Sequence, residues 1–454
     1  MTTTGLWREF VPGPSDPWDL AKVAHLHRRA GFFANRSELA RDVEAGPAAS
    51  VARFFEPPVP SDDERRILDS LRKGAVSGSD AERLKAWWLY QIFFGANPLG
   101  EKMTLFWHGH FATSNQKVNS LRLMSRQNQL LRRHAVGNVR ELVGELVGDP
   151  AMLIWLDGAS SKREKPNENF ARELWELFTL GPGHYTEDDI REAARAFSGW
   201  RESYDREDSQ TRAFRLDESY VDDGAKTILG RMGNWRADDV VRITFEQPAT
   251  AEFLCRKLYR YFVSEAAEPD AQLIAPLAKQ LRGNDYALRP TLETILRSQH
   301  FYSAAVRRQR VSSPVEYSVG LLRALAAPRT DVRLLALALA CAQQGQDLFY
   351  PPNVKGWDGG RRWLNSATLA ARTNWATDVI WGNPELRMPP YDPARWGNVS
   401  DTERPIETLI GVLLQDDIEP RALALIEETG AGDKPDDLRR ALRLIVRCPE
   451  FQLV

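Results

Sequence analysis

Cysteine is scarce: the 454 residues hold three, Cys255, Cys341 and Cys448. They are too far apart for a CxxC pair or any other metal-ligand spacing. That argues against a disulfide framework and fits a reducing compartment, so a cytoplasmic location is expected. Lysine is scarce too, 12 of the 60 basic residues. The arginine excess could serve bidentate anion recognition, although compositional bias of the source accounts for it more simply. Charge of one sign is lacking: 60 basic residues face 62 acidic ones, for a net −2. General attraction to nucleic acid or to an anionic membrane is therefore not expected. Long apolar runs are absent. The most apolar stretch, "LLALALACA" at 334–342, is too short to span a bilayer. The start, "MTTTGLWREFVPGPSDPWD", has no basic segment followed by an apolar one, so no signal peptide is read. A P-loop, a GxGxxG after a strand and a GxSxG elbow are all missing.

What is present is helical periodicity. Hydrophobic residues make up 43% and charged ones 27%, the balance of a globular chain. "AERLKAWWLYQIFF" (81–94), "AEFLCRKLYRYFV" (251–263) and "LRRALRLIVRC" (438–448) repeat apolar residues at three and four. Alternating segments are few; "RAFRLD" (212–217) and its neighbours suggest one small hairpin. The fold expected is mainly α, an irregular bundle of many helices with at most a minor hairpin or small sheet. A main helical domain is read over 1–385 and a linker over 386–404. A small helical carboxy-terminal unit, packed on the main domain, follows over 405–454.

The densest segment is "PNENFARELWELFTLGPGHYTEDDIREAARAFSGW", 166–200. Asn167 is placed to cap a helix with Glu168 in its first turn. Gly181 and Pro182 end that helix. At about 100° per residue, Phe170, Leu174, Leu177 and Phe178 form an apolar stripe, with Asn169, Glu173 and Glu176 together on its flank. Glu168 and Arg172 are spaced to pair. Thr186 and Asp189 form a capping box for a second helix running towards Ser198. The acidic flank is either a solvated face or a carboxylate and amide cluster suited to a metal or to acid–base work. If Glu173 and Glu176 are both partly buried without a metal, like-charge repulsion and desolvation are expected to raise the pKa of at least one of them.

Partners for such a cluster are sought in "EKMTLFWHGHFATSNQK" (101–117). On a regular helix His108 and His110 lie about 200° apart and converge only if Gly109 breaks the helix. A histidine on an apolar face is more often a hydrogen-bonded core residue. "PPNVKGWDGGRRWLNSATLAARTN" (351–374) is a glycine-hinged loop running into a helix. Its Asn353, Trp357 and Asn365 are candidates for lining a substrate pocket, or for packing the loop down through its tryptophans.

Several segments in collinear order carry a resemblance. They include "HLHRRAGFF" (25–33), "NPLGEKMTLFWHGHFATS" (97–114), the 166–200 segment, "QPATAEFLCRKLYRYFV" (247–263) and "PPNVKGWDGGRRWLNSATLAARTNWA" (351–376). Together they resemble a bacterial family known as domain of unknown function 1800. The resemblance implies one long mainly α unit with a short tail. It brings no activity. Relatives are often exported and encoded beside a sulfatase-like companion protein, which is the partner implied here. His108, His110, Asn169, Glu173 and Glu176 fall at motif positions.

The function expected first is a metal-assisted enzyme, a hydrolase or oxidase of unknown substrate. His108, His110, Glu173 and Asn169 would hold a divalent metal ion. Glu176 would act as the base, and Arg172 would hold an anionic group. The alternative is a non-catalytic helical scaffold, its motifs serving as buried hydrogen-bond networks. A haem protein with His110 as axial ligand is a third reading.

Overall fold

The computed structural model describes residues 3–204, 212–396, 404–415, 417–431 and 434–454. Part of the expected linker, 397–403, lies outside the described residues. The chain is mainly helical. Two small antiparallel pairs complete it, β1 (Trp200–Tyr204) with β2 (Arg212–Leu216) and β3 (Lys226–Ile228) with β4 (Arg231–Gly233). The first pair is the hairpin expected around 212–217, with Trp200 opposite Leu216. Among the described residues no helix is long and apolar enough to cross a membrane.

Helices start where short polar side chains catch the first free backbone N–H groups. Asn35 with Glu38, Ser61 with Glu64 and Thr186 with Asp189 each form a reciprocal capping box. Apolar side chains gather in two clusters. One joins Val23, Trp88 and Leu321 to Leu409, Leu442 and Phe451 near the carboxy terminus. The other joins Leu26, Trp107, Trp175, Leu258 and Ile295.

The Pro98–His110 helix runs between the clusters, giving Leu105 to one and Met103 and Trp107 to the other. Asn97 caps it, accepting from the Gly100 N–H at 2.8 Å, and Pro98 takes the first helical position, where no N–H is needed. With apolar neighbours on both sides, its polar residues are buried as well, including Glu101, Lys102, His108 and His110. A polar group so placed must find its partners inside the protein. Glu101 accepts from Arg132 and from the Trp88 indole at 2.9 Å each.

The 166–200 segment departs from the regular helix expected of it. An α-helix covers only Asn169–Glu173 and widens into a π-helical turn over Leu174–Thr179. The Trp175 carbonyl accepts from both Leu180 N–H (3.0 Å) and Gly181 N–H (2.8 Å), which sets the wide turn. Asn167 caps the segment as expected, accepting from Asn169 N–H at 2.9 Å, two residues on, with Glu168 already in helical backbone conformation. The 100° spacing therefore stops applying after Glu173, and Glu176 is not where regular α geometry would set it. The second helix, Glu187–Ala196, begins on the expected Thr186–Asp189 box.

Candidate functional site

A cleft of about 560 Å³ opens at the end of the Pro98–His110 helix. Its walls are the last turns of that helix, the Pro248–Phe262 helix and the loop from Lys355 to Trp363. The loop lies against the helix through two glycines. Gly356 has φ +79°, and a Cβ there would stand 2.1 Å from the Gly109 carbonyl oxygen. Only a glycine fits that approach. It seats Trp357 over His108, ring centroids 5.6 Å apart.

Gly109 does not break the helix, which continues to His110. The two histidines therefore face different neighbours. His108 Nε2 accepts from the Phe349 N–H at 3.1 Å, and its ring packs on Trp88 and Phe349. His110 Nε2 donates to the Phe178 carbonyl at 2.9 Å. That carbonyl belongs to the last turn of its helix, where the usual N–H partner is lacking. Burial pushes His108 down to about 3, and burial with the nearby Lys257 charge takes His110 to about 3. Both rings are neutral, and each has one nitrogen committed to the backbone.

The carboxylate segment stands beside the cleft. Glu173 and Glu176 are half-buried and Asn169 is exposed. Burial, followed by the Glu176 charge, raises the Glu173 carboxyl above its ordinary value against the pull of Arg172 and Lys355. This is the crowding expected from their spacing. Arg172 is taken up by two carboxylates, Glu187 at 2.8 and 2.9 Å and Glu168 at 3.1 Å. Among the described residues, no group of three or more His, Cys, Asp or Glu side chains stands close enough to hold a metal ion.

Of the loop candidates, Trp357 lines the cleft. Asn353 is spent on a local turn, accepting from Lys355 N–H at 2.8 Å. Asn365 caps the Ser366–Trp381 helix, accepting from Ala367 and Thr368 N–H at 3.0 Å each. Asn365→Ala should accordingly cost about 1 kcal/mol in thermal or urea unfolding, the usual size of a lost cap, with the ligand affinity of the cleft unchanged. A loss of affinity without a loss of stability would return Asn365 to substrate binding.

Sequence reading missed the cationic side of the cleft. Phe253, Arg256, Lys257, Arg260 and Tyr261 come from one helix, and Arg310 joins them. The signal lay in "EFLCRKLYRYF", whose basic residues 256, 257 and 260 share the face opposite its apolar stripe. Several of these charges already have partners. Arg260 pairs with Glu268, and Arg310 with the buried Glu316. Arg256 donates to the Pro269 carbonyl at 3.0 Å. Asp358 pairs with Arg362 at 2.8 Å, and Glu265 accepts from Val311 N–H at 2.7 Å.

Two ammonium groups remain. Among the described residues Lys257 and Lys355 have no hydrogen-bond or ion-pair partner, although Lys257 lies over the Phe253 ring at 5.2 Å. Partial removal from water, with Arg260 beside it, pulls Lys257 below its ordinary value although its side chain still opens to solvent. Such a cleft offers positive charge beside flat aromatic faces from Phe106, Phe253, Trp357 and Trp363.

The family model described as protein of unknown function (DUF1800) matches residues 25–453, a span that includes every wall of this cleft. No curated protein and no solved structure matches the chain.

Proposed function

The chain belongs to the DUF1800 family, and from the cleft built within the matched span we propose that it binds an anionic ligand carrying a flat, ring-shaped apolar face. The observation that carries this reading is that Lys257 and Lys355 have no ion-pair or hydrogen-bond partner for their ammonium groups among the described residues, in a cleft walled by Trp357 and Trp363. Both ammoniums are open to solvent and in no ion pair among the described residues, so an incoming anionic group can meet them without breaking an existing pair. Compact ammoniums suit a single anionic group, while the indole faces take a ring. The size suits a small-molecule ligand, since such sites hold roughly 300–1,000 Å³.

The metal-assisted chemistry expected of His108, His110, Asn169, Glu173 and Glu176 draws no support from their placement. The histidine nitrogens described above serve the backbone, and Arg172 is occupied by Glu168 and Glu187. The motif histidines instead fix how the central helix meets its neighbours, which supports the cleft as the working surface.

Calorimetric titration tests the proposal with an oligouronate, a nucleoside monophosphate and an aromatic carboxylate, each beside a neutral counterpart. At least one anion is expected to bind while its neutral counterpart does not. In the Lys257→Gln/Lys355→Gln double variant affinity should fall by about tenfold or more, since a charged hydrogen bond contributes about 1.5–3 kcal/mol. The variant should keep the wild-type melting temperature, because both lysines are open to solvent. Binding that is equal for charged and neutral probes, or unchanged in the double variant, would overturn the reading.

A further inference from the structure

Three side chains lining the cleft are more than nine-tenths buried yet keep one polar atom free: His110 (8% exposed), Gln346 (5%) and Trp363 (8%). His110 donates its Nε2–H to the Phe178 carbonyl at 2.9 Å, which leaves Nδ1 as a bare acceptor. Gln346 Oε1 accepts from Val315 N–H at 3.1 Å, so the amide nitrogen, a donor, is the end left over. The Trp363 indole N–H is a donor as well. Among the described residues none of these three atoms has a hydrogen-bond partner, and none is sealed from water. Buried polar groups are ordinarily satisfied. Here their free ends open on the cleft that the three side chains line.

A fourth free group stands beside them. Glu265 commits Oε1 to Val311 N–H at 2.7 Å, while its Oε2 has no partner among the described residues. Gly359, at φ +72°, leaves the space in front of it open: a Cβ there would lie 3.9 Å from Glu265 Oε2 and 3.7 Å from Trp363 Nε1. An acceptor and a donor therefore flank the same point. A ligand hydroxyl placed between them accepts from the indole and donates to the carboxylate, because an O–H group does both.

Resting on the anion-binding reading above, we propose that the ligand is an acidic saccharide of the uronate type. Its hydroxyls meet His110 Nδ1, Glu265 Oε2, Gln346 and Trp363, and its carboxylate meets Lys257 and Lys355. The two free acceptors decide the class. A carboxylate or phosphate oxygen has no proton to give, so it sets lone pair against lone pair at His110 and charge against charge at Glu265. The ligand must bring O–H or N–H donors besides its charge, which excludes a bare aromatic acid. His110 can only accept, since its proton is held at Nε2, and burial with the Lys257 charge keeps it from taking a second one. A nucleotide brings donors too, but phosphate favours guanidinium forks. The arginines of this cleft already serve Glu268, Glu316 and the Pro269 carbonyl. Glu265 also opposes a dianion about twice as strongly as a monoanion. The C–H face of a sugar ring completes the match on Trp357.

Calorimetric titration of the full chain tests this with trigalacturonate, its O-methylated form, its carboxyl-reduced neutral form and adenosine monophosphate. Trigalacturonate is expected to bind about tenfold or more tightly than each of the other three. Glu265→Gln keeps an acceptor for Val311 N–H but replaces the free acceptor with a donor. Affinity for trigalacturonate should fall by about tenfold, although removing a negative charge would by itself favour an anion. Trp363→Phe keeps an aromatic ring and loses the donor, and affinity should fall by about threefold to tenfold. If trigalacturonate binds no better than its neutral form, the anion reading falls and the saccharide with it. The saccharide assignment alone is overturned if adenosine monophosphate binds as tightly as trigalacturonate or more so. It is likewise overturned if the methylated form binds as well as the free one, or if Glu265→Gln binds trigalacturonate like wild type.

Discussion

Glu316→Ala should cost about 3–5 kcal/mol in urea denaturation, the range for breaking a buried ion pair by removing one partner. Glu316 is 1% exposed and pairs with Lys102, which is fully buried, and with Arg310. Its other oxygen accepts from Ser313 N–H at 2.8 Å, closing the cap of the Pro314–Ala324 helix. Lys102 also donates to the carbonyls of Arg28 (3.0 Å) and Gly31 (2.9 Å), so one ammonium ties three segments together. Removing the carboxylate leaves two cations among apolar rings. A Lys102→Met/Glu316→Ala double variant should recover part of the loss, because one of the stranded charges goes too.

The pH dependence has a definite sign. Burial alone would raise the Glu316 carboxyl, but Arg310 and Lys102 outweigh it and hold it well below its ordinary 4.5. A depressed carboxyl contributes stability that is complete above its unfolded value and is lost as pH falls towards its folded one. The stability gap between wild type and Glu316→Ala should therefore be full near neutrality and narrow below about pH 4.5. A gap that stays constant down to pH 3 would show that Glu316 acts through packing and capping rather than through its charge.

What could be read from the chain was local. Helix faces at 81–94, the hairpin near 212–217 and the Thr186–Asp189 box follow from spacings of two to four residues, and the structure has them. Glu316 and Lys102 are 214 positions apart, and His108 and its Phe349 partner 241. No periodicity relates such residues. The histidines were legible as residues that matter, and the glycine-hinged loop as a wall, but not which backbone groups they would meet. The π-helical turn breaks the constant 100° step that the flank argument assumed through Leu174–Thr179, although Glu176 still acts on Glu173 as that argument expected. Lys257 was visible only as the polar face of an amphipathic helix. Its significance rests on partners that its charged neighbours found and it did not.

Gly356→Ala is expected to damage the cleft more than it damages the fold. At φ +79° any Cβ costs about 1–2 kcal/mol from the left-handed conformation alone. Here it also meets the Gly109 carbonyl at 2.1 Å, where the obstacle is backbone and cannot swing aside. Overpacking of that kind adds about 1–3 kcal/mol. The loop can escape the clash by lifting off the helix, and Trp357 would go with it. Ligand affinity in the cleft should then fall by about tenfold or more. Amide exchange at Phe349, whose N–H is held by His108 beside Trp357, should accelerate. Gly183→Ala is the matched control, since Gly183 has φ +89° and nothing within 4 Å of an added Cβ. It should show the conformational cost without the loss of binding. If both variants lose stability equally and both keep the ligand, the loop is not held by its glycine contact, and Trp357 owes its position in the cleft to something other than Gly109.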